Sequence, residues 1–213
     1  MKYSRGSEWR KWDLHVHTPD SALNNQFTNW NDYISKLESI RDHAVLGITD
    51  YFSIDGYKQV LNYRSQGKLT NFDLILPNIE IRILPVTSSE KPINLHLIFS
   101  NHLKISDLEY FLKELKFNYR NNSYSCERHK LIELGKVFDS RLSEEKAYKE
   151  GINQFKADIT KLKNIFNKNK ILKDNVIIAV SNRSGDGVSG IQHSSLAATR
   201  EEIYSFTDII FSS

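Results

Sequence analysis

Cysteine is almost missing from this chain: Cys126 is the one thiol in 213 residues. A single cysteine excludes an internal disulfide and suits a reducing compartment. Long apolar runs are missing too. None approaches the ~20 residues of a membrane-spanning helix, and the opening MKYSRGSEWRK lacks the apolar stretch of a secretory signal. A soluble, cytoplasmic protein with no membrane partner is expected. Nor is there a strong excess of one charge: 29 Lys and Arg stand against 26 Asp and Glu, a net +3 that by itself does not imply nucleic-acid binding. What remains is an ordinary globular composition, 39% hydrophobic and 11% aromatic, long enough for one sizeable core and short for two.

The charge is unevenly placed. From His102 to Asp174 there are sixteen Lys and Arg against eleven Asp and Glu, a local excess of five. Before that segment, strand-like and helix-like runs alternate. WDLHVH reads as a strand, NWNDYISKLESIRDH as a helix, AVLGITD as a strand, and SIDGYKQVLNYRSQGK as a helix stopped at Gly67. FDLILPNIEIRI is strand-like, with Pro77 predicting a bend or two short strands. INLHLIFS alternates cleanly and SDLEYFLKELKFN follows as a helix. This order predicts a parallel α/β sheet or barrel, in which ligands gather at the carboxyl ends of strands.

From about residue 125 to 173 the Lys-rich chain reads as a helical insertion. Tyr148, Ile152, Phe155, Ile159, Leu162 and Phe166 recur at spacings of 4, 3, 4, 3 and 4, which predicts one apolar seam along a single long helix interrupted weakly by Gly151. That seam packs either on the protein's own core or on a partner. DNVIIAVS resumes the strand pattern, NRSGDGVSGIQHSS is a Gly/Ser loop, SLAATREEIYSF a helix and TDIIF a last strand. An α/β chain that stops on such a strand reads as the N-terminal part of a longer protein.

The chemistry-bearing residues cluster in the strand-like runs. In a strand, His15 and His17 share one face, with Leu14 and Val16 on the other. Asp50, Glu80 and His96 lie in or just beyond three further strands. Imidazole nitrogens and carboxylate oxygens suit zinc, manganese or iron(II). Two such cations polarise a phosphoryl group and lower the pKa of bound water. The set fits that chemistry better than a proton-shuttling dyad or a nucleophilic triad. Arg82, two residues beyond Glu80 on the same face, is either a cationic helper for developing negative charge or a surface ion-pair partner.

DLHVHT, LGITDY, PNIEIRI and INLHLIF, in this order and spacing, resemble the first motifs of the PHP (polymerase and histidinol phosphatase) domain. The wording is most similar to the N-terminal PHP domain of TrlF-like proteins, which carry an ABC/AAA-type ATPase further along. The resemblance covers most of the chain and implies a distorted TIM-like (β/α) barrel, incomplete at the C-terminus, that hydrolyses phosphoesters with two divalent ions. It implies His15 and His17 as ligands of a first ion, Glu80 as a bridge, and His96 as ligand of a second. Asp50, in the "TD" of that family's "TDH", becomes a ligand neighbour or an orienter of imidazoles, and Asp13 takes either a similar role or none.

Three departures accompany the match. Tyr51 stands where the family has histidine, and a phenol of pKa ~10 is a poor zinc ligand. The closing Asp and His motif is absent from the 213 residues. Asn182 occupies the place of a later family histidine, so His193, eleven residues on, is a candidate substitute ligand or a plain loop histidine. Asp186 reads as a turn former, and SGDGVSG lacks the lysine of a Walker loop. The expected function is a phosphoesterase acting on nucleic acid or a nucleotide, with an ATPase partner in cis or in trans. The alternatives are a degenerate PHP domain serving as a binding or regulatory module, and an interaction domain built on the 148–166 seam.

Overall fold

The computed structural model describes residues 9–23, 26–86, 91–192 and 196–211. The first half follows the alternation: β1 (Lys11–His17), α1 (Trp30–Ser39), β2 (His43–Tyr51), α2 (Asp55–Ser65), β3 (Leu74–Val86), β4 (Pro92–Phe99) and α3 (Ile105–Glu114). There follow β5 (Lys116–Tyr119), β6 (Asn122–Ser125), α4 (Arg128–Phe138), α5 (Glu144–Gln154), α6 (Ile159–Lys168) and the short α7 (Lys170–Lys173). β7 (Val176–Ser181), α8 (Ala197–Phe206) and β8 (Ile209–Phe211) complete the chain. No described helix is long and apolar enough to cross a membrane.

Six strands form one sheet in the order β1-β2-β3-β4-β7-β8. It is not the all-parallel sheet that the alternation predicts, because β4 runs antiparallel to both β3 and β7. The reason is covalent reach. Five residues, 87–91, separate Val86 from Pro92, and a parallel return needs a crossover of about a dozen or more. One consequence is that Glu80 and His96 are not at strand ends. They lie within β3 and β4 and face each other directly across the ladder.

The sheet is curled into a half-barrel. At ~4.8 Å per strand, β1 and β4 would be roughly 14 Å apart in a flat sheet. Instead the His15 and His96 rings have centroids 4.4 Å apart. The amide of Asn78 on β3 donates to the Leu14 carbonyl on β1 at 2.7 Å. A hollow of about 230 Å³ is lined jointly by Trp12 and His15 of β1 and by Ile209 and Phe211 of β8. The convex face is apolar: Leu46, Ile48, Ile79, Ile81, Leu95, Leu97, Phe99, Ile178 and Val180 are buried in one core with Leu37, Val60, Phe111, Leu162 and Phe166 from the helices. The concave face carries the polar residues.

Pro77 does not break β3, which runs unbroken for 13 residues. The Glu80 carbonyl accepts from Phe52 N, so even-numbered residues of β3 turn their peptide groups to β2. The missing N–H of Pro77 therefore faces the other side, beyond the last β3–β4 pair, Asn78 with Ile98, and no ladder bond is lost.

The 125–173 segment also differs from a single long helix. The seam is split between α5 and α6 at Phe155–Asp158, where Asp158 caps α6 by accepting from Lys161 N. All six seam residues nevertheless lie in the main core. KFN leaves the preceding helix to form β5, paired with β6 through a tight turn in which Arg120 and Asn121 both have positive φ, the geometry of a two-residue hairpin loop. Gly151 is not a weak point. A Cβ there would come 1.9 Å from the Leu131 carbonyl oxygen, and one on Gly135 would come 1.9 Å from that of Ala147. These two glycines let α4 and α5 pack backbone to backbone. Gly151→Ala is therefore expected to push the helices apart and lower stability by about 1–3 kcal/mol, measured as a lower urea midpoint with little change in m.

Candidate metal centre

β1 delivers its histidines through an irregularity. Asp13 pairs with Leu46 and Val16 with Ile48, so β1 carries one residue more than β2 over this stretch, a bulge that re-aims side chains. The Leu14 carbonyl turns inward at the bulge, to a point 2.3 Å from where a Cβ of Gly47 would sit. Only glycine fits at position 47. Asp13 Oδ1 accepts from the His15 backbone N–H at 3.1 Å and holds the bulge.

The result is a triangle of donor atoms. His15 Nε2 and His17 Nε2 are 3.1 Å apart, and each is 3.3 Å from Glu80 Oε2. Ligands of one zinc ion at the usual ~2.0–2.1 Å bonds are roughly 3.3 Å apart in a tetrahedral shell. Glu80 Oε2 is buried and accepts no properly aligned hydrogen bond, although two imidazole nitrogens lie close. Three possible ligand atoms thus lie within the spacing of one coordination shell, and the residues fit a divalent cation. Burial pushes the Glu80 carboxyl up, but the His15 and His17 contacts and the charges of His96 and His15 outweigh it and hold it below the usual carboxylate range.

Several neighbours orient this triangle. Ser21 Oγ meets His17 Nδ1 at 3.0 Å, leaving Nε2 for the centre, the arrangement that fixes a ligating imidazole. The Tyr51 ring stacks on His17 with centroids 5.3 Å apart. Burial and the Glu80 charge push its phenol up, so Tyr51 stays protonated beside the triangle rather than joining it. The Asn78 amide spans Leu14 O, Thr49 Oγ1 at 3.0 Å and His96 Nδ1 at 3.2 Å.

His96 is brought to the cluster, with its ring against His15, but it is not a member of the three-donor group. Its Nδ1 meets the Asn78 amide nitrogen at 3.2 Å. Burial drives this imidazole down to about 4; the Glu80 charge opposes, and His15 and His17 add to the fall.

The structure does not bring Asp50 to the triangle. Strand alternation turns it to the opposite face from Tyr51 and Thr49, toward a cleft of about 520 Å³ lined also by Asp20, Asp55, Arg128 and Tyr148. There it accepts from Thr18 Oγ1 at 2.9 Å, and its Oδ2 lies 2.2 Å from where a Cβ of Gly56 would be, against the start of α2. Asp50 thereby anchors the β1–α1 turn, in which Ser21 N bonds to Thr18 O at 3.1 Å, and that turn carries the hydroxyl that holds His17.

Arg82 lies beyond Glu80 as expected, against Tyr51 and Asn153. Asp186 accepts from Asn94 N through its carbonyl, in keeping with a turn residue. His193 lies outside the described residues. Cys126 is buried, and burial pushes its thiol up, so it is inert. Ser21, Asn78 and Gly47 were not singled out from the sequence. Only Ser21, four residues after His17, left a local signal.

No family model matches this chain, and no curated protein does. Among solved structures, one from Bifidobacterium adolescentis, a proposed metal-dependent phosphoesterase, aligns over 94% of this chain and 76% of its own, with 9% identity and a TM-score of 0.46. At that distance the site is read from its own geometry.

The titrations of Asp50 and His96 oppose each other. Burial raises Asp50 to about 7, against hydrogen bonds from Thr18. A raised carboxyl contributes stability that is complete below its unfolded value and is lost as pH rises through about 7. His96, being lowered, contributes stability above its ordinary value that is lost as pH falls toward about 4. Asp50→Asn is expected to remove the alkaline loss. Its urea midpoint, measured on metal-free protein, should rise between about pH 5 and about pH 6.5, where His96 titrates unopposed, and then hold level to about pH 8, where the parent declines through about pH 7.

Proposed function

We propose that this chain is a metal-dependent phosphoesterase that holds a divalent ion on His15, His17 and Glu80. The observation that carries this reading is the triangle of three donor atoms 3.1 to 3.3 Å apart, one of them a buried carboxylate oxygen without a hydrogen bond. Two imidazoles and one carboxylate, with room left for water or substrate, form the ligand set of catalytic rather than structural sites. A divalent ion bound there supplies Lewis acidity toward a phosphoryl oxygen and lowers the pKa of water.

The remaining roles belong to the chain. Ser21 orients the His17 ring through Nδ1 so that Nε2 faces the centre, and Asn78 ties β1, β2 and β4 across the concavity. Tyr51 closes one side of the triangle and limits water there. Arg82 offsets negative charge on the phosphoryl group. A second ion, shared by Glu80 and held by His96, would need His96 to present a bare Nε2. The substrate class in this reading is nucleic acid or a nucleotide, supported by the basic excess of residues 102–174. An ATPase partner rests on the sequence resemblance.

The test is metal analysis of the purified chain together with hydrolysis of bis(p-nitrophenyl) phosphate in added manganese. Near-stoichiometric metal and turnover are expected, with both falling to background in His17→Ala and Glu80→Gln. Ser21→Ala should weaken metal binding by roughly 10-fold or more while leaving the fold intact. Metal without turnover toward any phosphoester would instead favour a binding or regulatory module, and no metal at all would overturn the proposal.

A further inference from the structure

The strand face that carries Glu80 continues to Arg82, and two cations collect there. The Arg82 guanidinium carbon stands 5.0 Å from the centre of the Tyr51 ring, the same ring that stacks on His17. Arg82 Nη1 donates to Asn153 Oδ1 at 3.2 Å, while its Nε is buried without a hydrogen-bond partner. Just beyond the end of β2, the link between α5 and α6 takes over the edge of β3. Ala157 N donates to Arg82 O at 2.7 Å, and Ala157 bridges Ile83.

That docking sets Lys156 beside Arg82. Lys156 Nζ turns back to the carbonyls of Asn153 and Phe155, so Asn153 holds both cations, one by its side chain and one by its backbone. A lysine that merely closed the end of α5 would keep an ordinary or raised pKa in the helix-terminal field. Instead burial, with the Arg82 charge, brings it down to about 8.

Among the described residues neither cation has a carboxylate within ion-pair distance. The Glu150 charge reaches Lys156 without an ion pair. Glu150 accepts from Gln154 at 2.7 Å, Asp158 caps α6, and Asp186 accepts from Asn94 at 3.4 Å. Two like charges set together in a half-buried place, with one N–H left over and no carboxylate paired to either, present donors to a further anion.

We propose that Arg82 and Lys156 form an anion cradle at the rim of the metal centre, which takes the oxygens of the substrate's phosphate and favours a dianionic terminal phosphate over a monoanionic diester. The inference rests on the phosphoesterase reading for its substrate, but its test does not. Inorganic phosphate is titrated calorimetrically into the chelator-treated full chain and into the metal-loaded chain. Phosphate is expected to bind the metal-free chain. Lys156→Met and Arg82→Gln should each weaken it by about tenfold or more, and Lys156→Arg should restore it. Metal content should stay the same in all three. In the loaded enzyme, Lys156→Met should raise KM for p-nitrophenyl phosphate more than for bis(p-nitrophenyl) phosphate.

Phosphate binding by a chain that takes up no metal would keep the cradle and remove the phosphoesterase reading. Equal phosphate affinity in the parent, Lys156→Met and Arg82→Gln would overturn the cradle, as would no binding by the parent. Failure of Lys156→Arg to restore binding, with a melting temperature as low as that of Lys156→Met, would assign Lys156 to closing α5 and overturn it as well.

Discussion

A carboxylate buried inside a curled sheet is the constraint around which this protein is arranged. Glu80 is 1% exposed and sits in the middle of β3, where an isolated charge would be costly. It is tolerated because imidazoles come to it from two other strands, and that convergence requires the curvature. Flatten the sheet and His15 and His17 move away from Glu80 by about two strand widths, leaving it only His96 across the ladder. Barrel curvature and site electrostatics are therefore one problem, solved by the same residues. Asn78, adjacent on β3, ties the concave side together with bonds to three neighbouring strands.

The two faces of the sheet divide the labour. Ile79, Ile81, Leu95 and Leu97 alternate with Glu80, Arg82, Asn94 and His96, so the helices bury an apolar layer while the polar set faces the concave side. This division explains why Asp50 and Tyr51, neighbours in sequence, act on different sides. Tyr51 touches the donor triangle directly. Asp50 reaches it through Thr18 and the turn that carries Ser21. The helical segment after β6 is likewise integral: its link Phe155–Asp158 completes the edge of β3 and brings Lys156 to the site.

Periodicity in the sequence was enough for most elements. β1, β2, β4, β7 and the helices α1, α2 and α8 lie where the apolar spacing places them, because each buries one face on a shared core. His15, His17 and Glu80 were legible as a set because their residue types are rare in buried strands unless they bind something. The hairpin β5–β6 was missed because Lys116 and Phe117 also continue the helical pattern of α3. The split between α5 and α6 was missed because both halves keep the same heptad-like spacing across a non-helical link.

What the chain determines by itself is therefore the alternation of its elements, the apolar face of each, and the presence of metal-type donors in strand segments. Those follow from local spacing and side-chain chemistry. Tertiary structure alone decided the reversal of β4, the curl of the sheet, the inward turn of the Leu14 carbonyl beside Gly47, and the meeting of Arg82 with Lys156. Each of these joins residues many positions apart, and pairing register and backbone approach at such range leave no mark in local periodicity.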